Sequence, residues 1–184
     1  GHYEDSVADL TKAIEVNPEQ AENYLVRIVA YELQGELALA LQDCNTLVRI
    51  APDSKSAYNN RTSVYAQLHE FEQAEADLER SFQITQDETE HGLRLAELAY
   101  HKGEYASAIH HYQHTLSTLP AQHSFNLGVI YWQLGKSLDS SGDSDGATEA
   151  FETSIKNWHL PPLKRSLMWL QEMRAYVEQH RPQA

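Results

Sequence analysis

Three prolines of this chain lie on a fixed period of 34 residues. They are Pro18, Pro52 and Pro120, and Gln86 occupies the remaining point of the series. A fixed period of this length is typical of helical repeat arrays, in which each repeat is a helix–turn–helix unit. Because one such unit cannot bury its apolar face alone, each repeat packs on its neighbours. The period therefore predicts an all-α chain of stacked helix pairs.

Three further columns repeat with the same period. Twelve residues before each proline point stand small residues, which suit a close crossing of two helices: Ser6, Ala40, Ala74 and Ala108. Fifteen residues before it stand bulky residues that open the second helix of each unit: Tyr3, Leu37, Phe71 and Tyr105. Seventeen residues before it, where the turn favours a positive φ, stand Gly1, Gly35, His69 and Gly103.

With these columns, the chain resembles the tetratricopeptide repeat (TPR) family over nearly its whole length. The resemblance implies a right-handed α-α superhelix, a TPR solenoid of antiparallel helix pairs. It also implies a non-catalytic protein–protein interaction module that binds a peptide or partner protein in a concave groove. The chain lacks an initiating Met and opens inside a repeat, so we expect it to be a fragment of a longer chain.

The register divides the chain into successive segments. They are a half repeat 1–20, repeats 21–54, 55–88 and 89–122, an insertion 123–127, a repeat 128–160, and a C-terminal capping helix and tail 161–184. Predicted first helices cover about 21–34, 55–68 and 89–102, and predicted second helices about 37–50, 71–84 and 105–118. After Pro120 the motif returns five residues late. We therefore expect one lengthened first helix over 121–141, followed by a second helix at about 145–158.

Charge and composition narrow the classes of partner. A net charge of −13 repels phosphate groups, so we expect no nucleic-acid partner and no anionic membrane surface. No apolar run approaches the roughly 20 residues of a membrane span. A single cysteine, Cys44, excludes an internal disulfide, and its column predicts a small buried residue. A cytoplasmic location is favoured, although the sequence itself assigns none.

The motifs that suggest cofactor or metal chemistry are incomplete. Gly135, Lys136 and Ser137 resemble the end of a phosphate-binding loop, but Ile130 stands where that loop needs glycine. Residues 141–152 show calcium-loop spacing without its first aspartate, so helix capping is favoured there. A histidine pair spaced i, i+4 on the helix at 105–118 lacks a nearby carboxylate or thiol. With no nucleophile–base set apparent, the sequence predicts no cofactor, no metal site and no enzyme.

The resemblance places the peptide-binding groove on the first helices. In the TPR family, the second, fifth, sixth, ninth, twelfth and thirteenth positions of each first helix face the ligand. Carried over to this chain, these positions give the groove residues Leu25, Val29, Asn59, Asn60, Arg94, Glu97, His101, Trp132 and Gln133. Phe125 and Asn126 are added because they lie on the same face of the predicted lengthened helix. The asparagine amides could pair with the main chain of an extended peptide, and Arg94 could bind a carboxylate. The alternative is that these residues form a solvated face.

One TPR function can be checked against these positions. Cochaperones that bind the C-terminal carboxylate of heat-shock chaperones use a Lys and Asn, then an Asn, then a Lys and Arg on three successive first helices. The corresponding residues here are Leu25, Val29, Asn60, Glu90 and Arg94. Only Asn60 and Arg94 match, so the sequence predicts that this carboxylate clamp is absent.

Two other functions remain open at the level of sequence. The helix at 3–17 carries Val7, Leu10 and Ile14, which a preceding first helix would normally cover. This helix or the wide apolar face of the C-terminal capping helix could join copies into a homo-oligomer, which would make the chain a self-association scaffold. The chain could also be the accessory repeat domain of a larger enzyme.

Overall fold

The computed structural model describes residues 2–119, 127–158 and 164–180, with side chains from residue 6 and, in the last helix, from residue 169. These residues form ten α-helices and no strand. The helices are α1 (His2–Val16), α2 (Ala21–Gln34), α3 (Leu37–Ile50), α4 (Lys55–Gln67), α5 (Phe71–Thr85), α6 (Glu88–His101), α7 (Tyr105–Thr118), α8 (Leu127–Ser141), α9 (Ser144–Lys156) and α10 (Lys164–His180). Consecutive helices pack as pairs, among them α2 with α3, α4 with α5 and α8 with α9. The predicted all-α architecture is confirmed.

The turns inside the repeats have the backbone conformation that the sequence predicts. Gly35, His69 and Gly103 have φ of 77°, 60° and 77°, and Gly142 has φ of 90°. In this left-handed conformation the N–H of Gly35 reaches the carbonyl of Glu32 and ends α2. Three of the four positions carry glycine because a side chain is disfavoured there.

Helix bounds agree with the sequence register to within about two residues where they can be compared. For the lengthened helix predicted over 121–141, the structure describes α8 from Leu127 to Ser141. Residues 121–126 lie outside the described residues, so the predicted extension stays a prediction. The following helix, α9, covers Ser144–Lys156, close to the predicted 145–158.

The chain divides into two compact units, unit 1 (Gly1–His91) and unit 2 (Gly92–Ala184). In unit 1 the core forms around Ile28, Leu47 and Val64, which are all essentially inaccessible to solvent. The small residues of the predicted crossing column, Ala40 and Ala74, are completely buried. Cys44 is also completely buried, as its column predicts.

Two arginine–aspartate pairs connect the helices of unit 1. In the first, Nε and Nη2 of Arg27 on α2 donate to the two carboxylate oxygens of Asp43 on α3, both at 2.7 Å. The third nitrogen, Nη1, donates to the hydroxyl of Thr11 on α1 at 2.9 Å. Since the guanidinium bonds to the helices before and after its own, it fixes the packing of three successive helices.

The second pair repeats the first one period later in the sequence. Arg61 on α4 donates to both oxygens of Asp77 on α5 at 2.6 and 2.7 Å, and its Nη1 donates to Asn45 on α3 at 3.0 Å. On the same period the next pair of positions holds Leu95 and His111, so the arginine–aspartate pair does not recur there. The helices of unit 2 are held by other contacts.

Unit 2 has a larger and more aromatic core, which the last helix helps to close. Met173 and Val177 on α10 are buried, and α10 packs against α9. The ring of Tyr176 meets that of Phe151 edge-on, and its hydroxyl donates to Asp139 at 2.6 Å. Gly135 is buried against Phe151, and a Cβ at this position would lie 2.6 Å from the ring. Glycine at 135 therefore permits the close approach of α8 to α9.

Candidate functional site

The candidate site is the set of predicted ligand-facing positions on the first helices, here called the inner face, and it is described separately for each unit. On α2 it carries three solvent-exposed apolar side chains, Val26, Val29 and Leu33, which we call the apolar strip. Their exposed fractions are 53%, 44% and 36%. Positions 26, 29 and 33 lie above one another on one face of a helix. Predicted groove residue Leu25 lies beside the strip and is half-buried.

Exposed apolar side chains of this size are few in the described part of the chain. Besides the apolar strip, only Val16 at the end of α1 and Leu39 on α3 are exposed among the described large apolar residues. Single exposed apolar residues are ordinary, whereas a contiguous group is typical of an interaction site. The apolar strip is thus the distinctive feature of the unit 1 surface.

Polar groups on α4 border the apolar strip. One carboxylate oxygen of Glu32 accepts hydrogen bonds from the Ser63 hydroxyl at 3.0 Å and from the Gln67 amide at 2.6 Å. The Asn60 amide nitrogen donates to the carbonyl of Ser56 at 2.7 Å. This bond orients the half-buried Asn60 side chain, whose carbonyl oxygen is an acceptor suited to a peptide N–H.

Asn59 occupies a different environment from its neighbour. It is 7% exposed, and its amide nitrogen donates to Glu90 at 2.8 Å, while Lys55 contacts the other Glu90 oxygen at 2.6 Å. Its carbonyl oxygen is buried and has no hydrogen-bond partner among the described residues. Asn59 therefore connects α4 to the start of α6 and leaves little of its side chain accessible, whereas Asn60 stays a predicted groove residue. No local pattern in the sequence indicates this contact, because Glu90 is 31 residues away.

The inner face of unit 2 begins with a charged pair on α6. Arg94 Nη1 donates to Glu97 at 2.9 Å, one helical turn further on, and the side chains are 35% and 29% exposed. The pair holds the guanidinium in place while leaving it accessible to a partner. His101 is half-buried, and its ring lies edge-on to that of Tyr100 with centroids 5.9 Å apart.

An aromatic cluster follows on α8 and α10. The rings of Trp132 and Trp169 stack with centroids 4.3 Å apart. The ammonium of Lys136 lies 4.1 Å from the Trp132 centroid and 5.0 Å from that of Tyr100, within cation–π range. Sequence reasoning predicted Trp132 for the groove but assigned Trp169 only to the capping helix. Gln133 is half-buried on α8, and Phe125 and Asn126 lie outside the described residues.

The structure also describes the single cysteine and the residues that suggested a metal site or a calcium loop. Among the described side chains, no three His, Cys, Asp or Glu residues are placed to hold a metal ion. Asp143 accepts the backbone N–H of Gly146 at 2.9 Å, so it caps α9 as the helix-capping interpretation predicts. Burial raises the pKa of Cys44 to about 12, which keeps the thiol protonated and unreactive at neutral pH. No described helix has the length and apolar character needed to cross a bilayer.

Comparisons with known proteins agree with the fold. The family model described as tetratricopeptide repeat matches residues 1–55. A curated relative, TPR repeat-containing thioredoxin TDX of Arabidopsis thaliana, is 30% identical over 88 residues, which are 48% of this chain and 23% of the relative. The chain thus spans about a quarter of that protein. It contains one cysteine, so it cannot form the Cys-X-X-Cys pair of thioredoxin-like redox sites.

Solved structures extend the likeness in fold to nearly the whole chain. A tetratricopeptide repeat protein from Parabacteroides merdae superposes with a TM-score of 0.77 at 20% identity, covering 97% of this chain and 66% of that one. TTC0263, a TPR protein of Thermus thermophilus, gives 0.76 at 17% identity, covering 97% and 92%. At these identities the superpositions concern the fold. They show that the chain has the fold of a tetratricopeptide-repeat solenoid, and the family model places tetratricopeptide repeats in residues 1–55.

Proposed function

We propose that this chain is a non-catalytic module that binds a peptide segment of a partner protein on the inner face of its first helices. TPR repeats generally mediate protein–protein interaction, and proteins of this fold are typically non-enzymatic scaffolds. The observation that carries the proposal is the apolar strip on α2, which leaves three large apolar side chains in solvent beside the oriented amide of Asn60. Covering a surface of this kind with a partner is favourable, because it removes apolar area from water.

Two polar residues give the inner face directional contacts. Asn60 in unit 1 offers an acceptor for a main-chain N–H, and Arg94 in unit 2 offers N–H donors that suit a carboxylate or a carbonyl. Both side chains are restrained by an internal hydrogen bond, so binding would immobilise them at little further entropic cost.

Alanine substitution on the inner face tests the proposal. Asn60→Ala and Arg94→Ala should each weaken the binding of a partner captured by co-precipitation by about 1–3 kcal/mol, because a polar group of the partner is left unpaired. Circular dichroism should show unchanged helicity. The matched controls, Gln73→Ala and Arg49→Ala, change exposed residues of second helices and should leave binding intact. Loss of binding in the controls but not in the inner-face variants would refute the assignment.

Self-association is the competing function, and it makes a different prediction. If the chain is a scaffold that joins its own copies, size-exclusion chromatography with light scattering should show a mass that rises with concentration. A constant monomer mass together with inner-face-dependent capture supports the peptide-binding proposal.

A further inference from the structure

We infer that the partner segment at the apolar strip is an amphipathic helix whose apolar side is flanked by basic residues. The inference rests on the proposed function and adds to it the conformation and the charge of the ligand. It depends on three features of unit 1: the length of the strip, its confinement to one helix, and the charges around it.

The length of the apolar strip fits a helical ligand. Val26 and Leu33 are seven residues apart, so the strip is about 10.5 Å long at the helical rise of 1.5 Å per residue. A partner helix laid along α2 presents anchors at i, i+3 or i+4, and i+7 over the same about 10.5 Å. Three same-side residues of an extended strand span about 13 Å, and its anchors would fall out of step with Val26, Val29 and Leu33.

Confinement of the strip to α2 favours the same ligand. The neighbouring inner face, on α4, carries Asn60, Ser63 and Gln67, and two of these side chains bond to Glu32. An extended peptide that crossed from α2 to α4 would place only about one residue on the apolar strip, and its next residues would contact polar side chains. A helix parallel to α2 covers all three apolar side chains and turns its polar side toward the amides.

The charges at the strip favour basic flanks. Exposed Glu22 precedes Val26 by one helical turn, and Glu32 lies next to Leu33, so a carboxylate stands at each end of the strip. The inner face of unit 1 also contains Glu90, whose charge is balanced by Lys55 at 2.6 Å. Arg27 and Arg61 are held by Asp43 and Asp77. Lysine or arginine on either side of the ligand's apolar anchors therefore complements this surface.

A set of three labelled synthetic peptides tests the ligand class by fluorescence anisotropy. The first, of about 18 residues so that a helix is stable, places leucine at i, i+3, i+7 and i+10 and lysine on both flanks. The second replaces every lysine with glutamate, and the third has a central proline that breaks the helix. We expect saturable binding of the first peptide and at least tenfold weaker binding of the other two. Equal binding of the glutamate or proline peptide would overturn the inference.

Matched variants of the protein separate a specific site from general attraction to an acidic chain. Val29→Ser should weaken the lysine peptide about tenfold, equivalent to about 1.4 kcal/mol, while Leu39→Ser on α3 should not. Glu22→Gln should weaken it about threefold and flatten its salt dependence, as expected for one exposed charge contact. Glu72→Gln also removes a carboxylate from the first turn of a helix and should have no effect. If both glutamate variants weaken binding equally, the attraction is nonspecific and the inference fails.

The experiments distinguish failure of this inference from failure of the proposed function. If none of the three peptides binds, but capture of a partner protein depends on Asn60 or Arg94, the inner face binds a different ligand and only this inference is wrong. If capture depends on neither residue and the lysine peptide does not bind, both are wrong.

Discussion

Removing Asp77 should destabilise unit 1 far more than removing any exposed carboxylate. In the native protein this aspartate accepts two charge-assisted hydrogen bonds from Arg61, at 2.6 and 2.7 Å, and the two side chains are 8% and 18% exposed. Asp77→Ala leaves the guanidinium largely buried, with the amide oxygen of Asn45 as its remaining side-chain acceptor. Breaking a buried ion pair costs about 3–5 kcal/mol. Because some water still reaches Arg61, we expect a loss of about 2–4 kcal/mol in the free energy of unfolding.

The chain provides a separate probe for each unit. Its one cysteine, Cys44, lies buried in unit 1, and its three tryptophans all lie in unit 2. Burial raises the pKa of Cys44 to about 12, so the native thiol is protonated and shielded and reacts only after opening. The rate of Cys44 labelling in dilute urea therefore reports the opening free energy of unit 1. Tryptophan fluorescence records unit 2 in the same samples.

A control and a double variant complete the experiment. Asp53 pairs with Arg80 at 3.6 Å with 89% and 45% exposure, so Asp53→Ala should cost less than about 1 kcal/mol. Arg61→Met with Asp77→Leu removes both charges and should restore much of the lost stability, since an apolar pair of similar volume leaves no buried charge. If Asp77→Ala speeds Cys44 labelling no more than Asp53→Ala does, the argument that this pair holds the helices together is refuted.

Two further predictions concern the backbone. Gly135→Ala should lower the stability of unit 2 by about 1–2 kcal/mol, because the added Cβ overlaps the buried Phe151 ring and this steric cost exceeds the gain in helix propensity. Urea unfolding followed by tryptophan fluorescence measures the change, and a stabilised variant would contradict the prediction. His69→Gly should stabilise unit 1 by about 0.5–1 kcal/mol, because His69 holds a φ of 60° that glycine adopts without strain. Gly35→Ala is the reverse test, because an added Cβ at position 35 meets no atom within 4 Å and only the backbone conformation is strained. This variant should therefore destabilise unit 1. The rate of Cys44 labelling should report both changes.

The sequence determined the repeat register because the signals involved are local. A turn that needs positive φ selects glycine at 35, 103 and 142, and a close helix crossing selects alanine at 40, 74 and 108. Both requirements act within a few residues and recur with the period, so a single sequence displays them several times. The arginine–aspartate pairs were open to the same reasoning, since Arg27 and Arg61, like Asp43 and Asp77, stand one period apart.

Tertiary structure alone decided which inner-face residues are accessible. Asn59 and Asn60 are adjacent and chemically identical, yet Asn59 is buried against Glu90 and Asn60 is half-exposed. The stacking of Trp132 on Trp169 likewise joins residues 37 positions apart on different helices. Such contacts depend on how helices from different repeats approach one another, which a repeat pattern specifies only on average. The family pattern therefore predicts which positions form the inner face, whereas the packing of particular side chains determines which of them are accessible.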